Sequence, residues 1–85
     1  MQVRKANASD VRITESWDNW SREPSEFVWY YEDNESCYIM EGEATVTDRL
    51  GNSISFGPGD WVEFEKGLHC NWRITKKISK KYMLH

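Results

Sequence analysis

Cysteine is scarce in this chain, with Cys37 and Cys70 alone among 85 residues. Two cysteines without a CxxC pair make no disulfide framework, and in a reducing compartment both stay thiols. Long apolar runs are missing as well. Nothing approaches the roughly 20 residues that span a bilayer as a helix, and the opening MQVRKANASD lacks the apolar stretch of a signal peptide. A cytoplasmic protein is therefore expected, or an organellar one once a targeting segment has been removed. A basic excess is also absent. The net charge is −3, and only TKKISKK near the C-terminus gathers lysines. That run reads as a solvated strand face, so neither nucleic acid nor membrane is expected as a partner. No internal repeat, low-complexity tract or linker divides the chain, and one domain over residues 1–85 follows.

Aromatic residues are plentiful: five Trp, four Tyr and three Phe. A domain this short needs such bulky core material, because it buries a small share of its surface. Period-two alternation recurs along the chain, the mark of half-buried strands. In HCNWRIT, Cys70, Trp72 and Ile74 face one way, and His69, Asn71, Arg73 and Thr75 the other. Ala44 and Val46, Ile54 and Phe56, and Val62 and Phe64 form further inward sets, and Ile78, Lys80, Tyr82 and Leu84 continue the pattern. RLGN, GPGD and EKGL supply the turns between these runs. Strands every eight to ten residues or so predict an antiparallel sandwich or barrel. Residues 1–20 are expected to form an N-terminal arm with a first strand near Val11–Ile13, and residues 26–83 the barrel core. Pro24 argues against a long helix around it. CYIME carries apolar residues on both faces, so it needs two covers. The second is either the N-terminal segment or another subunit, and a homodimer is expected.

Two stretches, ESCYIMEGEATVT and FGPGDWVEFEKGLHCNW, resemble the two motifs of the cupin superfamily. WDNWSREPSEFVWYYEDNESCYIMEGE, KGLHCNW and KKY resemble, more narrowly, the small single-domain cupins grouped with the (S)-ureidoglycine aminohydrolase cupin domain. The ethanolamine-utilisation cupin is a more distant relative. The resemblance runs from about Trp17 to Tyr82. It implies an all-β jelly-roll barrel (RmlC-like) of two antiparallel sheets with a pocket in the barrel mouth. It also shows what is replaced. The family's His-x-His falls at Val28 and Tyr30 or at Trp29 and Tyr31. Its second-motif His falls at Cys70, its Pro at Glu65 and its final Asn at Ile74, and of the four usual metal ligands Glu35 alone keeps its identity. His69 alternates outward and His85 is terminal, so a metal is possible but not favoured and no cofactor is expected.

Glu35 shares a face with Cys37 and Ile39, which aims a carboxylate at the core. A buried carboxylate takes a proton or finds a partner. Lys80 points inward in register with Ile78 and Tyr82, and the resembling family branch carries Lys-x-Tyr there. Glu35 is therefore expected to pair with Lys80 or with tyrosines. Glu35, Cys70 and Lys80 are the candidate catalytic groups, and Tyr30, Tyr31, Glu35, Cys37, Cys70, Trp72, Lys80 and Tyr82 the expected pocket. Trp17 and Trp20 are expected to cap a barrel end or a subunit contact. Three functions remain open: a small-molecule-binding cupin, a metal-dependent aminohydrolase, and a non-catalytic interaction module.

Overall fold

The computed structural model describes residues 1–85. In chain order it contains β1 (Gln2–Lys5), α1 (Ala8–Ile13), a 3-10 turn (Thr14–Ser16), β2 (Asp18–Arg22), β3 (Ser25–Tyr30), β4 (Glu35–Asp48), β5 (Ser53–Phe56), β6 (Asp60–Phe64) and β7 (His69–Leu84). The seven strands form one antiparallel sheet in the order β1-β6-β4-β7-β2, with β3 added to β7 and β5 to β4. The two sheets expected from the sequence are thus one. The reason is that β4 and β7 are long and run unbroken through both halves. The start of β4 pairs with β6 and with the end of β7, whereas its far end pairs with β5 and with the start of β7. Register shifts between Ile39 and Ala44 separate the two stretches. Bulges of this kind bend a strand and sharpen its twist. The halves then face each other: Phe64 of the first stands 5.7 Å from Trp72 and 6.4 Å from Phe56 of the second.

Gly42 makes the bend possible. Its φ is +95°, and a Cβ built there would lie 2.1 Å from the Lys77 carbonyl oxygen. Only a residue without a side chain lets β4 and β7 cross so closely.

The interior is where alternation puts it. Cys37, Ile39, Ala44, Val46, Phe56, Val62, Phe64, Cys70, Trp72, Ile74 and Ile78 are all buried. Residues 11–13 depart from expectation, since they end helix α1 instead of forming a strand. The Asn7 side chain accepts from the Asp10 amide at 2.9 Å and the Asp10 carboxylate accepts from the Asn7 amide at 2.9 Å. This reciprocal cap starts a helix, and the alternation in VRI carries no burial, because Val11 and Ile13 are exposed. The second cover over CYIME is the N-terminal segment. Trp17 packs on Trp61 at 5.2 Å, and Trp61 is the cross-strand partner of Tyr38. Trp17, expected at a barrel end or a subunit contact, packs instead on this strand neighbour.

Candidate functional site

Cross-strand register builds the site. On β4 the residues Glu35, Cys37 and Ile39 follow one another on the inner face. Across on β7 their partners are Leu84, Tyr82 and Lys80. Lys80 thus starts opposite Ile39, two inner-face pairs along the ladder from Glu35. Its four-carbon stem runs back past the small Cys37 and brings Nζ to 2.6 Å from Glu35 Oε2. Both side chains are more than nine-tenths buried. The Cys37 thiol donates to the same carboxylate oxygen at 2.9 Å, and Nζ lies 3.5 Å from its sulfur. Burial opposes the Lys80 ammonium, but the groups at Cys37 and Glu35 outweigh that cost and raise its pKa above the ordinary 10.5. The ammonium also faces the rings of Trp20 at 4.9 Å and Trp72 at 5.1 Å, which adds cation–π attraction.

A cavity of about 480 Å³ opens onto this pair, a size that suits a small ligand. Its buried end holds Glu35, Lys80, Tyr31 and Trp72, with Trp20, Phe27 and Tyr82 half-buried beside them. Trp29, Tyr30, Glu32, Asp33 and Leu84 line it from exposed positions. The inner end is rigidly packed. Tyr31 stacks on Phe64 at 4.6 Å, and its hydroxyl accepts from Trp72 Nε1 at 3.2 Å. Glu35 Oε1 receives no hydrogen bond from the protein, although Oε2 receives two. Since no buried polar side-chain atom lacks a partner, Oε1 is open to the cavity.

Six of the eight pocket residues expected from the sequence line this space: Tyr30, Tyr31, Glu35, Trp72, Lys80 and Tyr82. Cys37 and Cys70 do not. Cys37 sits behind the pair, and burial pushes its thiol well above the ordinary range. Cys70 is not brought to Glu35 and Lys80. It lies opposite Asp48 in the far half of the sheet, and its thiol donates to the Trp29 carbonyl at 3.6 Å. Burial and the charges of Asp48 and Glu65 push it up to about 11. The structure brings Cys37, and not Cys70, to Glu35 and Lys80, and burial raises both thiols above their ordinary range. Trp20, expected at a barrel end or a subunit contact, lines the cavity, as does Trp29 at one of the positions where the family's histidines fall. The Trp20–Lys80 pairing on β2 and β7 is what places Trp20, and no single strand's alternation contains that register.

A second polar cluster lies on the opposite face of β4. Ser36 Oγ is 2.7 Å from Glu63 Oε2 and 3.0 Å from His85 Nε2. The residue types are those of a hydrolytic triad, but the arrangement is not. Glu63 approaches the same imidazole nitrogen as Ser36, at 3.9 Å, whereas an acid that orients a base must hold the other nitrogen.

The chain matches known proteins over most of its length. Residues 12–82 match the family described as the EutQ-like cupin domain. The chain belongs to that family. Among solved structures, a DUF861-family protein of Thermotoga maritima is 38% identical over 99% of this chain and 98% of its own, with a TM-score of 0.95. The EutQ protein of Clostridium difficile is 16% identical over 79% of this chain, with a TM-score of 0.72. A putative ethanolamine utilization protein Q of Salmonella typhimurium is 20% identical over 78% of this chain, with a TM-score of 0.70. These last two show the shared fold, and the chain spans about half their length, 52% and 53%. No curated protein matches the chain.

Cupins commonly hold a metal at the positions compared above, and the residues here do not fit one. Val28 is 79% exposed, the Tyr31 hydroxyl is engaged by Trp72, and both thiols hold their protons. Glu35 already carries an ammonium, which would repel a metal ion at the same carboxylate. No three His, Cys, Asp or Glu side chains gather within reach of one ion.

Proposed function

We propose that this cupin is a small-molecule-binding protein whose ligand enters the aromatic cavity and hydrogen-bonds to the Glu35–Lys80 pair. The observation that carries this reading is the open Oε1 of Glu35 beside the Lys80 ammonium. An acceptor and a donor lie side by side in a space that apolar rings shield from bulk water, where each hydrogen bond counts for more. Binding without chemistry fits the groups present. The thiols are protonated, and the carboxylate is held by a cation and a thiol instead of standing free as a base. Activity as an aminohydrolase resembling the (S)-ureidoglycine enzyme is the alternative, and it lacks support in the donor set. Assembly as a homodimer in the cytoplasm belongs to the same proposal.

The test uses the indoles of Trp20, Trp29 and Trp72, which line the cavity and report its filling by fluorescence. Neutral hydroxyl- and amide-bearing compounds are titrated into the wild type and into the doubly substituted Glu35→Met/Lys80→Met protein. Saturable binding by the wild type that the folded double variant has lost supports the reading. Equal binding by both shows that the pair does not recognise the ligand.

A further inference from the structure

We infer that the ligand is a neutral sugar or cyclic polyol, one hydroxyl seated between Glu35 Oε1 and Lys80 Nζ and its C–H face laid against the indole wall. This rests on the binding reading above and narrows it to a class.

Charge decides first. The cavity is lined by three carboxylates, Glu32, Asp33 and Glu35, against the single ammonium of Lys80. Glu32 and Asp33 enter no ion pair with the protein's own cations. A carboxylate or phosphate ligand would have to pass these two free negative charges to reach Lys80. An ammonium group fares no better at the inner end, where Lys80 already stands 2.6 Å from Glu35 and a second cation would be repelled. A neutral group is left.

Hydrogen-bond chemistry decides next. The inner end offers one open acceptor, Glu35 Oε1, and a donor, Lys80 Nζ, side by side. A hydroxyl donates and accepts through one atom, so it satisfies both. Glu32 and Asp33 add further acceptors toward the opening, and acceptors in excess suit a molecule rich in O–H donors. The walls decide last. Aromatic faces carry partial negative charge and attract the weakly positive C–H groups of a saturated ring. Trp20 and Trp72 stand 6.0 Å apart beside the pair, with Trp29 nearer the solvent.

Calorimetry and tryptophan fluorescence with D-glucose, D-galactose, D-mannose and myo-inositol test the class. Gluconate, glucose 6-phosphate, glucosamine, choline and acetamide serve as charged and non-sugar counterparts. At least one neutral sugar or polyol is expected to bind saturably, and each charged counterpart at least about tenfold more weakly. The Trp29→Ala substitution should weaken that binding about tenfold or more while the protein stays folded, since Trp29 is 43% exposed. Saturable binding confined to acetamide, choline or an anionic probe overturns the sugar assignment while the cavity remains a binding site. Sugar binding that survives both Trp29→Ala and Glu35→Met/Lys80→Met lies elsewhere and overturns it too. Failure of every probe overturns this inference and the binding reading together.

Discussion

Substituting the two members of the buried ion pair, singly and together, tests how the site is held. At 2.6 Å the Coulomb attraction is about 6 kcal/mol with an effective dielectric constant of about 20. Against it stands a desolvation cost of several kcal/mol for each ion, so the pair is close to balance. Removing one member upsets that balance. In Lys80→Met the carboxylate keeps only the Cys37 thiol as a donor. A loss of about 3–5 kcal/mol is expected, on the order of a 15–30 °C fall in Tm for a domain of this size. Glu35→Met should cost less, because the ammonium retains Trp20 and Trp72 within cation–π range. The double variant places two flexible apolar side chains in the same space and should return to within about 1–2 kcal/mol of wild type. In the wild type the raised pKa of Lys80 gives a contribution fully present below pH 10.5 and lost as pH climbs past the folded value. Urea melts from pH 4 to 11 on all four proteins read these quantities. A double variant as unstable as Lys80→Met would refute the reasoning, as would a Lys80→Met protein within about 1 kcal/mol of wild type.

Three further outcomes are expected. Both thiols should stay silent toward Ellman's reagent at pH 8 in the folded protein and react fully in denaturant, since both are buried and their protons are held tightly; rapid native labelling of Cys37 would contradict its place behind the pair. Gly42→Ala should cost more than about 2 kcal/mol, because it adds a Cβ at positive φ against the Lys77 carbonyl, and a neutral effect on Tm would show that the bend is not tight there. Arg4 holds the Asp10 carboxyl down to about 2, so the attachment of α1 should persist above pH 3.8 and weaken as pH falls toward 2, as the Asn7 and Asp10 amide shifts would report; loss of the cap above pH 4 would contradict it.

Much of the fold is legible in the chain because period-two alternation survives in most of the strands. It turned Glu35 and Lys80 inward. Alternation cannot say which inward residues of two strands become neighbours. Cys37 and Cys70 look alike in sequence, yet the register puts Cys37 beside Tyr82 and Cys70 beside Asp48. The bulges between Ile39 and Ala44 set that register, and their signal is a single glycine. The family resemblance implied two sheets, and turn chemistry, which marks hairpins, does not reveal that β4 and β7 pass through both halves. Helix α1 was missed because a two-residue apolar alternation suggested a strand there; the Asn7–Asp10 cap starts a helix instead, and Val11 and Ile13 are exposed. Trp20 entered the cavity wall through its pairing with Lys80, a long-range contact that no local pattern carries.

The central claim, a charged Lys80 that is buried yet open to a ligand, is read most directly from the 15N signal of its side-chain nitrogen. A slowly exchanging ammonium resonance is expected from pH 5 to 9. It should lose intensity in Glu35→Met and shift in step with tryptophan fluorescence as a ligand saturates the cavity. A neutral amine signal in that range, or an ammonium signal that stays put at saturation, would contradict the account.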